Sequence, residues 1–403
     1  MIRALFDRSI FALWFGQVLS GVGDEIYRVA FTWICVQEVG KDAGGLSSLL
    51  VLSGLVGATF VPRWFGALPS GRVLVRLDLY RAGICLVPVI FYPFPEYRFP
   101  ALLIATILLF GLSSAFEPVL MEYVPRVART PELLRGANGL MATTYRLARV
   151  LGPSMVGMLT AWIPLVHFFT VNALSFVGSA VSIRSIRFSG ESIDSGLRST
   201  PGLLGTWRLV RNVPAIHRSL WAKCVSGGAW SLSYGVGLAL LVEEMRPGQV
   251  ATFGTLIAAY GVGNLAGAIG IGSLRRKHPE LWIYAGLVWL GVGFLFLSGT
   301  RDLILLHWVI GFTAMGGPVN DLPFVDLAQQ HFRPVELAGV FRIKVILDSL
   351  ITLLFFAVSP WAFQVLGVRR VIAICGAVML LSGILSVFAR NSVKIGQGAE
   401  DTV

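Results

Sequence analysis

Arg146 and Arg149 lie inside an apolar run, NGLMATTYRLARVLGPSMVGMLTAW over 138–162. An arginine at membrane depth is costly and as a rule faces a water-filled cavity or a partner carboxylate. Its planar fork donates two hydrogen bonds to a carboxylate or phosphate, so the pair suits an anionic ligand. Three residues apart, the two fall on neighbouring faces at roughly mid-depth of a helix. The alternative is that they pair with Glu117 or Asp24 and only hold helices together.

A second polar turn interrupts VLSGVGDEIYRVAF over 18–31. Asp24 and Arg28 share a face at i,i+4 and are expected to pair, which leaves Glu25 about 100° away as a free proton carrier. The group lies beyond the midplane, toward the outer side, and Gly21 and Gly23 let the helix bend there. Gating or proton coupling is one reading of this turn, with Arg28 as a further substrate contact. A structural ion pair plus an interfacial carboxylate is the other. Glu117, beside Pro118, is expected to lie deeper than Glu122 and to be a proton carrier. Asp321 and Asp348 are the corresponding groups late in the chain, near Asn320, Pro323 and Asp326. Asp348 can instead pair with Lys344 at i,i+4, and Arg342 and Lys344 can snorkel to the interface. Among the aromatic residues, Trp14, Trp33, Tyr145, Trp230, Tyr234 and Tyr260 could line a cavity for a large organic ligand or simply form belts and packing.

Other chemistries find no support in the residue pattern. The histidines never take metal-ligand spacing, and there is no Walker lysine loop or nucleophile elbow. Cys35, Cys85, Cys224 and Cys375 are scattered without a CxxC and read as small core residues. GVGNLAG at 261–267 lies in an apolar run without a βαβ context, so its glycines read as helix-packing residues. No cofactor, metal or nucleic acid is expected, and no enzyme can be assembled.

The elements that position these groups follow from composition. Of the 403 residues, 14% are charged and 55% hydrophobic, against about 25% charged in a soluble domain; mean hydropathy is +0.74. A span needs roughly 20 apolar residues. Such runs fall near 9–37, 44–66, 73–94, 99–121, 137–160, 163–186, 217–242, 250–272, 281–299, 303–324, 337–359 and 366–389. The pattern predicts an all-α membrane protein of twelve transmembrane helices in two six-helix halves, 1–187 and 215–403. The stretch 188–214 is a linker with an amphipathic surface helix around Leu203–Val210. The N-terminus carries no cleavable signal, so the first run is expected to stay as a span. The net charge of +11 gathers in short loops that include Arg72, Arg76, Arg81, Arg126 and Arg135. That is the positive-inside pattern, and it places both termini in the cytoplasm.

Six plus six spans with a basic middle loop resemble the major facilitator superfamily, whose halves rock about a midplane site. FALWFGQVLSGVGDEIYRVAFTW at 11–33 is similar to the first helix of its drug- and siderophore-exporting branch, which includes the enterobactin exporter and macrolide efflux pumps. So are RGANGLMATTYRLARVLGPSMVGMLTAW followed by FFTVNALSFVGSAVSI in 135–183, TFGTLIAAYGVGNLAGAIGIGSLRRK at 252–277 and DLAQQHFRPVELAGVF at 326–341. Gly152, Pro153 and Gly157 resemble the antiporter motif of exporters. One departure concerns the acidic, arginine-rich loop between helices 2 and 3. Here it reads GALPSGRVLV over 66–75, with Pro69-Ser70 where the pattern has Ala-Asp.

The resemblance implies a secondary exporter in a bacterial inner membrane, multi-pass, working by alternating access. The bilayer and protons are its expected partners, and a monomer is the expected state. The intramembrane arginines favour an anionic small-molecule substrate such as a carboxylate siderophore. Multidrug or macrolide efflux and lysophospholipid movement are the other transport readings. A sensor without flux is the reading from a different class, favoured only by the altered loop.

Overall fold

The computed structural model describes residues 5–65, 68–128, 130–186, 203–272 and 277–400. Among them every long element is a helix, and capping residues explain the boundaries. Asp7 opens α1 (Arg8–Val39) by accepting the amides of Ser9 and Ile10, each at 3.0 Å, which satisfies donors with no intrahelical partner. Proline at the first helical turn starts α4 (Pro95–Val127) and α5 (Pro131–Leu159), which follow α2 (Ala43–Phe65) and α3 (Ser70–Ile90). Its missing N–H costs nothing there. α6 (His167–Arg184) completes the first set of spans.

A short amphipathic helix follows, α7 (Leu203–Arg211), where the sequence predicts one. α8 (Pro214–Ser231) runs through a π turn (Leu232–Gly237) into α9 (Leu238–Met245) as a single span. Next come α10 (Val250–Gly272), α11 (Pro279–Gly299), and α12 (Leu303–Ala314) with α13 (Gly316–His331), which together make one broken span. α14 (Pro334–Leu366) ends at Gly367, whose φ of 80° suits a residue without a Cβ, and α15 (Val368–Glu400) closes the chain. The twelve membrane-length runs match the predicted order. By length and composition alone, seven described stretches are apolar enough to cross a membrane. α3 reads as less apolar because Arg72, Arg76, Asp78 and Arg81 all lie within it.

Contacts group the chain into two compact units. The first comprises Met1–Gly40, Leu49–Ser195 and Arg246–Ala258. Its core packs Leu13, Leu74, Leu77, Phe116 and Leu120. The second comprises Lys41–Ser48, Gly196–Met245 and Ala259–Val403, with Ile216, Leu220, Ile283, Tyr284 and Phe324 at its centre. Glycines bring helices into backbone contact within each unit, Gly57 against Gly111 in the first and Gly263 against Gly311 in the second. Close approach of this kind drives helix association where lipid removes the hydrophobic force. Large apolar side chains stay exposed along the shafts, among them Phe15, Leu108, Phe296, Trp308 and Phe388, as a lipid-facing surface requires.

Candidate functional site

In the first unit, α1 presents its polar turn to α6. Asp24 accepts a hydrogen bond from Asn172 Nδ2 at 3.4 Å across 148 residues of sequence. The Asn172 amide oxygen in turn accepts from Ser175 Oγ at 3.0 Å. Arg28 pairs with Glu25, its Nε lying 3.0 Å from Glu25 Oε2. The expected partnership is therefore exchanged: Glu25 takes the arginine, and Asp24 takes a neutral amide. Both spacings allow pairing on a helix, and the choice falls to the neighbouring helix, which supplies Asn172 on the Asp24 side.

α5 crosses α1 at this level. A Cβ on Gly152 would lie 3.0 Å from Val22 O and would run into Glu25. The residue stands where only a hydrogen fits, beside Pro153, which is buried. Gly157, one turn on, faces Thr255 Cγ2 at 3.5 Å. Gly152→Leu should thus separate α5 from α1 and remove transport, whereas Gly157→Ala should be tolerated; transport assays on membrane-inserted variants check the contrast.

Arg149 is exposed on α5 and makes no ion pair among the described residues. Tyr145 and Arg146 lie on the α5 backbone, but their side chains fall outside the described residues. Glu117 is exposed on α4, and it is joined to neither Arg149 nor Asp24. Its position beside Pro118 places it on the open side of α4, away from the packed face of Ala115, Phe116 and Leu120.

Among the described residues the most buried charges lie on α3, and one of them, Arg81, is a residue the sequence reading placed with the basic loops. Asp78 and Arg81 are 0% and 2% exposed, paired at i,i+3 on α3. The Arg81 guanidinium lies between two rings, 4.1 Å from the centroid of Phe116 and 4.2 Å from that of Phe176. Aromatic faces attract a desolvated cation. The available signal was the run VLVRLDLYRAGICLV over 73–87, where an Asp and an Arg three residues apart sit in apolar sequence.

In the second unit, Trp230 and Tyr234 stack with centroids 4.9 Å apart and planes at 12°. Tyr260 closes the cluster 4.3 Å from Tyr234, and its hydroxyl accepts from Trp230 Nε1 at 2.8 Å. The π turn that follows Trp230 carries Tyr234; such single-turn widenings recur at functional sites. A further group escapes the sequence reading. Lys223 of α8 is buried and reaches α13, donating to Asn320 and, at 2.6 Å, to Asp321. Lys344 and Asp348 stand 3.9 Å apart on α14, as their spacing predicts. Among the described residues no cluster of His, Cys, Asp and Glu could hold a metal ion.

The model of the Major Facilitator Superfamily matches residues 13–343. The multidrug efflux pump Tap of Mycolicibacterium fortuitum is 24% identical over 397 residues, covering 93% of this chain and 94% of that protein. The uncharacterized MFS-type transporter y4rN of Sinorhizobium fredii is 21% identical over 399 residues, with 94% and 93% covered. Among solved structures, a bacterial homologue of the iron transporter ferroportin in its inward-facing state aligns with a TM-score of 0.71 at 17% identity, over 94% of this chain and 98% of that one. At that identity the likeness speaks for the fold alone. The all-helical fold, the charges held inside its spans and the match over most of the chain come together in one assignment: the chain belongs to the major facilitator superfamily and is a multi-pass membrane transporter.

Proposed function

We propose that the chain exports amphipathic, aromatic-bearing organic molecules across a bacterial inner membrane in exchange for protons. The Trp230–Tyr234–Tyr260 cluster carries this reading. Trp230 is half-buried and is backed by the buried rings of Tyr234 and Tyr260, so its indole is the face of the cluster that a flat organic molecule would stack on. The charge arrangement agrees with it. Arg28, Arg81 and Lys223 are each held by a carboxylate, so these cations are matched without an anionic cargo. The relative named as a multidrug efflux pump supports the same class. Asp24 is the proton carrier in this scheme, because its partner is an amide and it can gain or lose a proton without breaking an ion pair. Alternating access would move the halves 1–187 and 215–403 about the site.

A second reading keeps the carboxylate siderophore. Arg149 favours it, as an exposed guanidinium on a spanning helix with no carboxylate among the described residues. Efflux of an aromatic dye and of a carboxylate chelator, measured in cells expressing Trp230→Ala or Arg149→Ala, separates the two. The aromatic reading expects Trp230→Ala to lower dye efflux about ten-fold, the size of one lost stacking contact, with Arg149→Ala near wild type. Unchanged dye efflux in Trp230→Ala, together with loss of chelator efflux in Arg149→Ala, would replace it with the anionic reading.

A further inference from the structure

A cavity of about 590 Å³ opens at one end of the first unit, where α3 begins and α4 and α6 end. Arg72 and Arg76 reach it from α3, Arg126 from α4 and Arg184 from α6, with Tyr123 in the wall. No carboxylate lines it among the described residues. The exposed guanidiniums of Arg72, Arg76 and Arg184 around one cavity repel one another unless an anion sits between them. Arg72, Arg76 and Arg184 are exposed and poised toward such a ligand.

Two features of the backbone point the same way. α3 starts after Pro69, which offers no capping side chain, so the first amides of the helix lack a partner of their own. These amides belong to Ser70 and Gly71, which line the cavity, and a helix N-terminus favours negative charge. Independently, Ser70 is only 4% exposed, and its hydroxyl is buried with no hydrogen-bond partner. A buried hydroxyl left unsatisfied is costly. An anion in the cavity would accept from it. A Cβ on Gly71 would stand 2.9 Å from the Tyr123 ring, so that glycine lets the wall close around the site.

We propose that this cavity is a binding site for a phosphate group, held by Arg72, Arg76, Arg126 and Arg184 together with Ser70 and the start of α3. The group is either the headgroup of an acidic phospholipid or a soluble phosphate. Guanidinium forks match phosphate oxygens in pairs, and the site lies where the basic loops gather, at the level of lipid headgroups. A phosphate bound there ties the start of α3 to the ends of α4 and α6. The site is distinct from the aromatic cluster and needs no transport to be detected.

The test uses the purified full-length protein, delipidated in a neutral detergent. Native mass spectrometry compares retention of phosphatidylglycerol with phosphatidylcholine, and thermal melting follows titration with inorganic phosphate. Phosphatidylglycerol should be retained about ten-fold better, and Arg76→Gln or Arg184→Gln should each remove about that preference. Ser70→Asp supplies an internal carboxylate, so it should abolish the preference while the protein melts no lower than wild type. Lipid selectivity without a phosphate effect identifies the headgroup. Stabilisation by phosphate without lipid selectivity identifies a soluble ligand. Equal retention of both lipids with no phosphate effect overturns the proposal, as does binding that survives in Arg76→Gln, Arg184→Gln and Ser70→Asp alike.

Discussion

Arg81→Met is expected to destabilise the protein by about 3–5 kcal/mol, the usual cost of removing one partner from a buried ion pair. The loss should appear as a lower melting temperature in nanodiscs. The reason is the carboxylate left behind. Asp78 is fully buried, and its matching charge is the guanidinium held between Phe116 and Phe176. Neither ring can take over the ionic contact, and little water reaches the pair. Adding Asp78→Leu to Arg81→Met should recover most of the loss, because no uncompensated charge then remains. The double variant is the informative one: failure to recover would mean that Arg81 works by filling space between the rings and not by answering Asp78. An unchanged melting temperature in Arg81→Met would rule out the pair as a structural element altogether.

Asp24→Asn should have the largest effect on activity. The replacement keeps shape and still hydrogen-bonds Asn172, but it can no longer exchange a proton. In proteoliposomes, export driven by a proton gradient should fall to background, while substrate exchange down its own gradient continues. That split isolates coupling from binding and folding. The control is Glu25→Gln, which loosens Arg28 and so should change both assays together. If gradient-driven export persists in Asp24→Asn, the proton travels elsewhere, and the Lys344–Asp348 pair on α14 becomes the next group to test.

The polar turn of α1 was legible because charged residues in an apolar run have a reason to be there, and helical periodicity assigns each a face. Which charge meets which partner was not. Asp24, Glu25 and Arg28 are compatible with two pairings by spacing, and the selection depends on Asn172, far along the chain. Lys223 shows the same limit. It is a lone cation in an apolar helix until α13 brings Asp321 to it from 98 residues away. Arg81 passed for a loop charge because α3 carries enough basic residues at its start to blur the boundary of the span.

By itself, then, the sequence determined the class of protein and the order of the twelve spans. Those follow from local physics: apolar length and a helical repeat. Tertiary structure decided the partners, the stacking of Trp230, Tyr234 and Tyr260, and the gathering of arginines around Ser70. These depend on which helices pack side by side and at what separation, and glycines such as Gly152 set that separation only once a second helix is there to meet them.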